Sequence, residues 1–74
     1  MITREQLRMA RGALKITVRD LEKMSGVTAN TISRYENGSD ALGETLMKLR
    51  KALEDAGIEF LPENGGGPGV RLKK

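Results

Sequence analysis

The sequence predicts an all-α domain of four short helices carrying a C-terminal β-strand or hairpin extension. Three observations predict it. Apolar residues recur every three or four positions as far as residue 57, each such stretch has its own start or stop signal, and beyond Gly57 the period changes to two. The expected boundary therefore divides residues 1–57, the helical domain, from 58–74, the extension and a candidate dimerisation element.

Thr3 followed by Gln6 fits a capping box, in which the hydroxyl accepts an orphan amide and the glutamine reaches back to the cap. Leu7, Ala10 and Leu14 follow at helical spacing, so the first helix is expected from about Thr3 to Ala13, with Gly12 marking its exit. Thr17 caps a second helix, and Asp20 stands in its first turn, where the helix dipole favours an anion. Leu21 and Met24 supply its apolar positions. Ser25-Gly26-Val27 then interrupts, since Gly26 enters a left-handed conformation without steric penalty. Thr28 caps a third helix, Ala29 to about Asn37, closed by Gly38. Gly43 and Glu44 open a fourth, carried by Leu46, Leu49, Leu53 and Ala56 and ended by Gly57.

After Gly57, Ile58-Glu59-Phe60-Leu61 and Val70-Arg71-Leu72-Lys73 alternate apolar and polar residues, as half-buried strands do. Pro62 to Gly69, with five residues from Gly65 rich in glycine, forms the turn between them. An isolated hairpin is only marginally stable. It needs support from the fourth helix or from a strand of a second subunit, and a partly disordered tail is the plainer alternative.

Composition narrows the function classes. The 74 residues make one domain, and a chain this size buries only about 60% of its unfolded surface. Cysteine and histidine are both absent, so disulfides, a thiolate metal site and the usual general base are excluded. Asp20, Glu22 and Glu36 form no pair with an acid/base role, and no catalytic set, cofactor loop or metal-ligand set is expected. The Gly-rich run lacks the P-loop pattern and precedes no helix. Thirteen Lys and Arg against ten Asp and Glu give a net charge of +3 and a pI near 9.6. That balance suits a polyanionic partner. No apolar run is long enough to span a membrane and the N-terminus lacks a signal-peptide core, so a cytoplasmic protein is expected.

The functional information lies between Thr17 and Gly38: a capped helix of two turns, a glycine-containing tight turn, and a second capped helix. That arrangement describes a helix-turn-helix. On the third helix, Thr28, Ile32 and Tyr35, together with Val27 in the turn, are expected to face inward. Ala29, Asn30, Ser33, Arg34 and Asn37 fall on the opposite arc. This outward set is short and, apart from Arg34, uncharged, whereas a solubility face normally carries Glu and Lys. Short polar groups let a helix approach base edges. Arg pairs with guanine, Asn with adenine, and Ala meets the thymine methyl. Composition by itself leaves an ordinary exposed face equally open.

The order of a first helix, Thr-x-x-x-Leu, Gly26-Val27-Thr28, then Thr31-Ile32-Ser33-Arg34-Tyr35-Glu36-Asn37-Gly38 and a Leu-rich helix resembles the Xre or Cro/CI family of phage and bacterial transcriptional regulators. The resemblance covers about residues 3 to 57. It implies a lambda-repressor-like four-helix fold with the third helix in the major groove of a double-stranded DNA operator. It implies base reading by Ala29, Asn30, Ser33 and Arg34. Phosphate or groove-edge contacts fall to Thr28 and Thr31, and loop contacts to Asn37 and Ser39, through side chain and backbone. It also implies a structural ion pair between Arg11 and Glu36.

Three positions depart from the family pattern. Val18 stands where the family carries a glutamine that touches phosphate and props the reading helix, so that contact is lost. Glu22 replaces a small residue and is expected to turn outward towards Arg19 or Lys23. Ser25 replaces an apolar residue. Among the basic residues Arg4, Arg8, Arg11, Lys15 and Arg19, the better candidates for the DNA backbone are Arg8 and Arg19. Lys48, Arg50 and Lys51 are read as surface charge. Val70 to Lys74 is read as a strand in preference to a basic arm.

A repressor acting by promoter occupancy is the expected function. A homodimer on two half-sites about 34 Å apart suits it, with the fourth helix and the C-terminal strand as the interface. The alternative is a protein-interaction module, such as the antitoxin half of a toxin–antitoxin pair, in which the tail binds a protein partner.

Overall fold

In a computed structural model, described for residues 2–62 and 65–73, helices α1 (Arg4–Leu14), α2 (Val18–Ser25), α3 (Ala29–Glu36) and α4 (Gly43–Asp55) are followed by strands β1 (Ile58–Leu61) and β2 (Gly69–Leu72). Residues Glu63 and Asn64 of the expected turn, and Lys74 of the basic terminus, lie outside the described residues. The four helices and the antiparallel hairpin form a lambda-repressor-like helix-turn-helix fold. No helix among the described residues is long and apolar enough to cross a membrane.

The first three helices begin with one repeated device. Thr3, Thr17 and Thr28 are extended N-caps whose hydroxyls accept the amide three residues on, from Gln6, Asp20 and Thr31. The apolar residue before each cap and the one four after it both join or pack on the core: Ile2 with Leu7, Ile16 with Leu21, Val27 with Ile32. Each pair occupies the positions of a hydrophobic staple. Gln6 and Asp20 also close capping boxes. The Thr17 amide donating to the Asp20 carboxylate holds that group below its ordinary value.

The turn between α2 and α3 follows from two residues. Gly26 has φ 78°, a left-handed conformation, and its amide closes α2 on the Glu22 carbonyl at 2.8 Å. Ser25, where the family pattern has an apolar residue, donates its hydroxyl to the Leu21 carbonyl at 2.7 Å and accepts from the Val27 amide at 3.1 Å. The hydroxyl thus stitches the helix end to the turn.

Ile2, Leu7, Ala10, Leu21, Val27, Ile32, Tyr35, Leu46, Leu49, Ala52, Leu53 and Ile58 form one buried cluster. Three expectations about facing are corrected. Thr28 is exposed, because a capping residue precedes the helix and its side chain turns back over the first turn rather than inward. Met24 is exposed, since Leu21 alone of α2 is fully covered. Ala56 is only half-buried past the end of α4, and Ala52 takes the core position.

The hairpin pairs Ile58 with Leu72 through to Leu61 with Gly69, so its second strand begins one residue earlier than the alternation suggested. It leans on α1 as well as α4. The buried Gln6 amide donates to the carbonyls of Leu61 and Gly69, both at 3.0 Å, while its oxygen accepts the Thr3 amide. Ile58 lies in the main core, and Arg50 of α4 covers the Phe60 ring at 5.6 Å. The tail is an integral part of the packing.

Candidate nucleic-acid interface

Helix α3 spans eight residues, two turns, and the two ends of its polar inventory behave differently. Buried Ile32 and Tyr35 fix its inner face, and the Tyr35 hydroxyl donates to the Ile2 carbonyl at 2.8 Å. Around the N-terminus, the Thr28 hydroxyl accepts from the Thr31 amide and donates to the Thr31 hydroxyl at 2.9 Å. The two threonines are thereby locked together at the edge of the helix.

The opposite arc is unengaged. The side chains of Asn30, Ser33 and Arg34 make no hydrogen bond or ion pair among the described residues; Asn30 and Arg34 are exposed, while Ser33 and Ala29 are half-buried. All four lie within six consecutive residues and share one face of the helix. Thr31 and Arg34 also border a depression completed by Asp40, Ala41 and Leu42 of the α3–α4 loop and Thr45 of α4.

The C-terminal end of α3 is fully engaged. The Ser39 amide bonds the Arg34 carbonyl at 2.9 Å and the Gly38 amide the Tyr35 carbonyl at 3.2 Å, with Gly38 left-handed, the pattern of a Schellman cap. Asn37 caps Ser33 and Arg34. The amides of Asn37, Gly38 and Ser39 are therefore committed to the helix end. The side chains of Asn37 and Ser39, not their amides, are the groups this loop leaves uncommitted among the described residues.

Arg11 meets Glu36 in a two-pronged ion pair, Nε to Oε2 and Nη2 to Oε1, both at 2.7 Å. Glu36 is buried, and its carboxylate raises the Arg11 pKa further above its ordinary value. Arg11 also donates to the Ile16 carbonyl at 3.3 Å, linking α1, the α1–α2 turn and α3. Because Glu36 has little water to fall back on, removing either partner leaves a poorly compensated charge.

Of the two arginines singled out for the DNA backbone, Arg19 stands exposed on the first turn of α2 without a partner among the described residues. Arg8 instead directs its guanidinium to the Glu36 carbonyl. Arg4, to which the sequence assigned no role, donates to the Tyr35 carbonyl at 3.0 Å and stacks over the Tyr35 ring at 5.2 Å. The signal for both was the spacing of Arg4, Arg8 and Arg11 on one face of α1. Val18 packs on the core and makes no bond to α3. Glu22 forms no ion pair with Arg19 or Lys23 among the described residues and is half-buried.

Comparison with known proteins agrees with this geometry. A helix-turn-helix family model matches residues 7–59. A putative HTH-type transcriptional regulatory protein of Archaeoglobus fulgidus is 37% identical over 49 residues, 66% of this chain and 16% of the relative. The HTH-type transcriptional repressor RghR of Bacillus subtilis is 46% identical over 52 residues, 68% of this chain and 38% of the relative. The chain thus spans well under half the length of these curated relatives.

Proposed function

The chain belongs to the Xre/Cro-CI-type helix-turn-helix family, and from that premise we propose that it is a sequence-specific regulator of transcription that binds double-stranded DNA. The observation that carries the reading is the unengaged arc of α3. Asn30 and Arg34 make no side-chain hydrogen bond among the described residues and stand on an exposed helix face, whereas Thr31, Tyr35 and Glu36 on the same helix and its cap Thr28 are all engaged. Ala29, Asn30, Ser33 and Arg34 read base edges in the major groove, where Arg suits guanine and Asn adenine. Thr28, Thr31, Asn37, Ser39 and Arg19 hold the phosphates. Arg8 is left out of that set because its guanidinium is turned to Glu36.

Regulation is by repression, the role that the Bacillus relative's name gives that protein, and it acts here through occupancy of a promoter. The setting is the cytoplasm. One short reading helix contacts few base pairs, so a homodimer on two half-sites about 34 Å apart gives the needed selectivity. Exposed Met47 on α4 and Leu72 on β2 favour an interface on α4 and the C-terminal strand.

Selection of bound duplexes from a random pool, followed by titration of the winner, tests the reading. The winner should bind about a thousandfold or more tighter than random DNA. Arg34→Ala should weaken it by about 1–3 kcal/mol and relax preference at one base position. Unchanged selectivity in both Arg34→Ala and Asn30→Ala would reject this reading face.

A further inference from the structure

The four carbonyls at the C-terminal end of an α-helix have no partners within it, and exposed helices leave them to water. In α3 all four are occupied by the chain itself. Ser33 and Arg34 receive backbone amides, Tyr35 receives the Gly38 amide and Arg4 Nε, and Glu36 receives Arg8 Nη2. Arg11 adds the ion pair to the Glu36 side chain. Three arginines on successive turns of α1 therefore close on the last two residues of α3, where the helix dipole is negative.

We infer that Arg4 and Arg8 are positioning residues for DNA recognition, holding the end of α3 so that Asn30, Ser33 and Arg34 meet the groove at one fixed angle. The inference rests on the reading of α3 as the DNA-reading helix. A two-turn helix has few restraints on its direction. Through its first half α3 is held by Val27 and Ile32, which are apolar and tolerate small rotations, and by the single bond from the Val27 amide to the Ser25 hydroxyl. Val18 supplies packing but no hydrogen bond to α3. The directional restraints on the C-terminal end of α3 come from α1 and the residue before the α1 cap: two guanidinium-to-carbonyl bonds, one two-pronged ion pair, and the Tyr35 hydroxyl on the Ile2 carbonyl. Arg4 is held in turn by stacking on the Tyr35 ring, which restricts the guanidinium plane. Only arginine supplies both the planar face and the donor fork that this requires.

An arginine that binds phosphate, one that merely stabilises a helix end and one that aims a reading helix leave different marks. Arg4→Met/Arg8→Met is compared with the unsubstituted chain on its selected duplex and on random DNA, at two salt concentrations and at a temperature where circular dichroism shows both folded. The positioning role predicts that affinity for the selected duplex falls about tenfold or more while affinity for random DNA and its salt dependence stay unchanged. Equal loss on both DNAs, with a salt slope lower by about one, would make Arg8 a phosphate ligand and overturn the inference. An intact ratio with only a lower melting temperature would reduce the pair to a helix cap and overturn it too. Should the double variant fail to fold, Arg4→Lys/Arg8→Lys keeps both charges but loses the planar fork, and its ratio must fall as well; an unchanged ratio refutes the role. Failure of the underlying reading looks different. The unsubstituted chain would then bind every duplex alike, and the inference would go with it.

Discussion

Lys15, Gly26, Gly38 and Gly57 follow the four helices with positive φ, and only Lys15 carries a Cβ there. Gly26 at φ 78° closes α2 at no steric cost, whereas Lys15 holds φ 59° and ψ 44° after α1 with a full side chain. Its amide bonds the Arg11 and Gly12 carbonyls, and the Ile16 amide reaches back to Arg11 at 3.0 Å, so the position is fixed by the same kind of cap that ends α3. A residue with a Cβ held there costs about 1–2 kcal/mol, partly offset because glycine loses more chain entropy on folding. Lys15→Gly is therefore expected to stabilise the chain by about 0.5–1 kcal/mol in denaturant unfolding. A neutral or destabilising result would mean that the exposed Lys15 side chain contributes more than its backbone conformation removes.

The helices show how far local sequence reaches. Threonine caps at 3, 17 and 28 and the flanking apolar pairs specify the starts of α1, α2 and α3 within a few residues of chain, and those starts were legible. The outward arc of α3 was legible for the same reason, since helical spacing alone places Ala29, Asn30, Ser33 and Arg34 together. Contacts that span the chain were not. Gln6 reads as a capping residue, yet its amide also binds residues 55 and 63 positions away. Arg4 reads as a residue without a role and Arg8 as a candidate for the DNA backbone until α3 is placed 31 and 28 residues on. Helix α4 breaks the pattern, because its N-cap is Leu42, which makes no side-chain cap bond and is 71% exposed. Leu42→Ser supplies the missing acceptor and is expected to add about 1 kcal/mol of stability, a rise of about 4–8 °C in melting temperature. If that gain came with weaker binding to the selected duplex, Leu42, which borders the depression shared with Arg34, would be doing work on DNA that its local geometry does not explain.

The hairpin decides whether the molecule unfolds as one body. A two-stranded sheet does not stand alone in water, and here its support comes from within the chain: Ile58 in the common core, Phe60 and Val70 packed against it, and the Gln6 amide across the last strand pair. Folding of the tail therefore does not require a second subunit, and an interface on α4 and the strand would join two already folded chains. Gln6→Glu isolates the central link. The new carboxylate still accepts the Thr3 amide and so keeps the capping box, but it turns an oxygen towards the Leu61 and Gly69 carbonyls where an NH2 stood. Gln6 is only 4% exposed, so water cannot relieve the repulsion. The substitution should destabilise the whole chain by about 3 kcal/mol at neutral pH. Because the penalty falls on the ionised form alone and raises the folded-state pKa of the new acid, the gap should narrow as the pH falls from neutrality and be smallest below about pH 4, where the protonated acid can donate to one of the two carbonyls. Circular dichroism of the helices and amide exchange of the strands should report one shared transition. Loss of strand protection with the helical transition unmoved would instead make the hairpin an independent appendage and leave its stability to a partner.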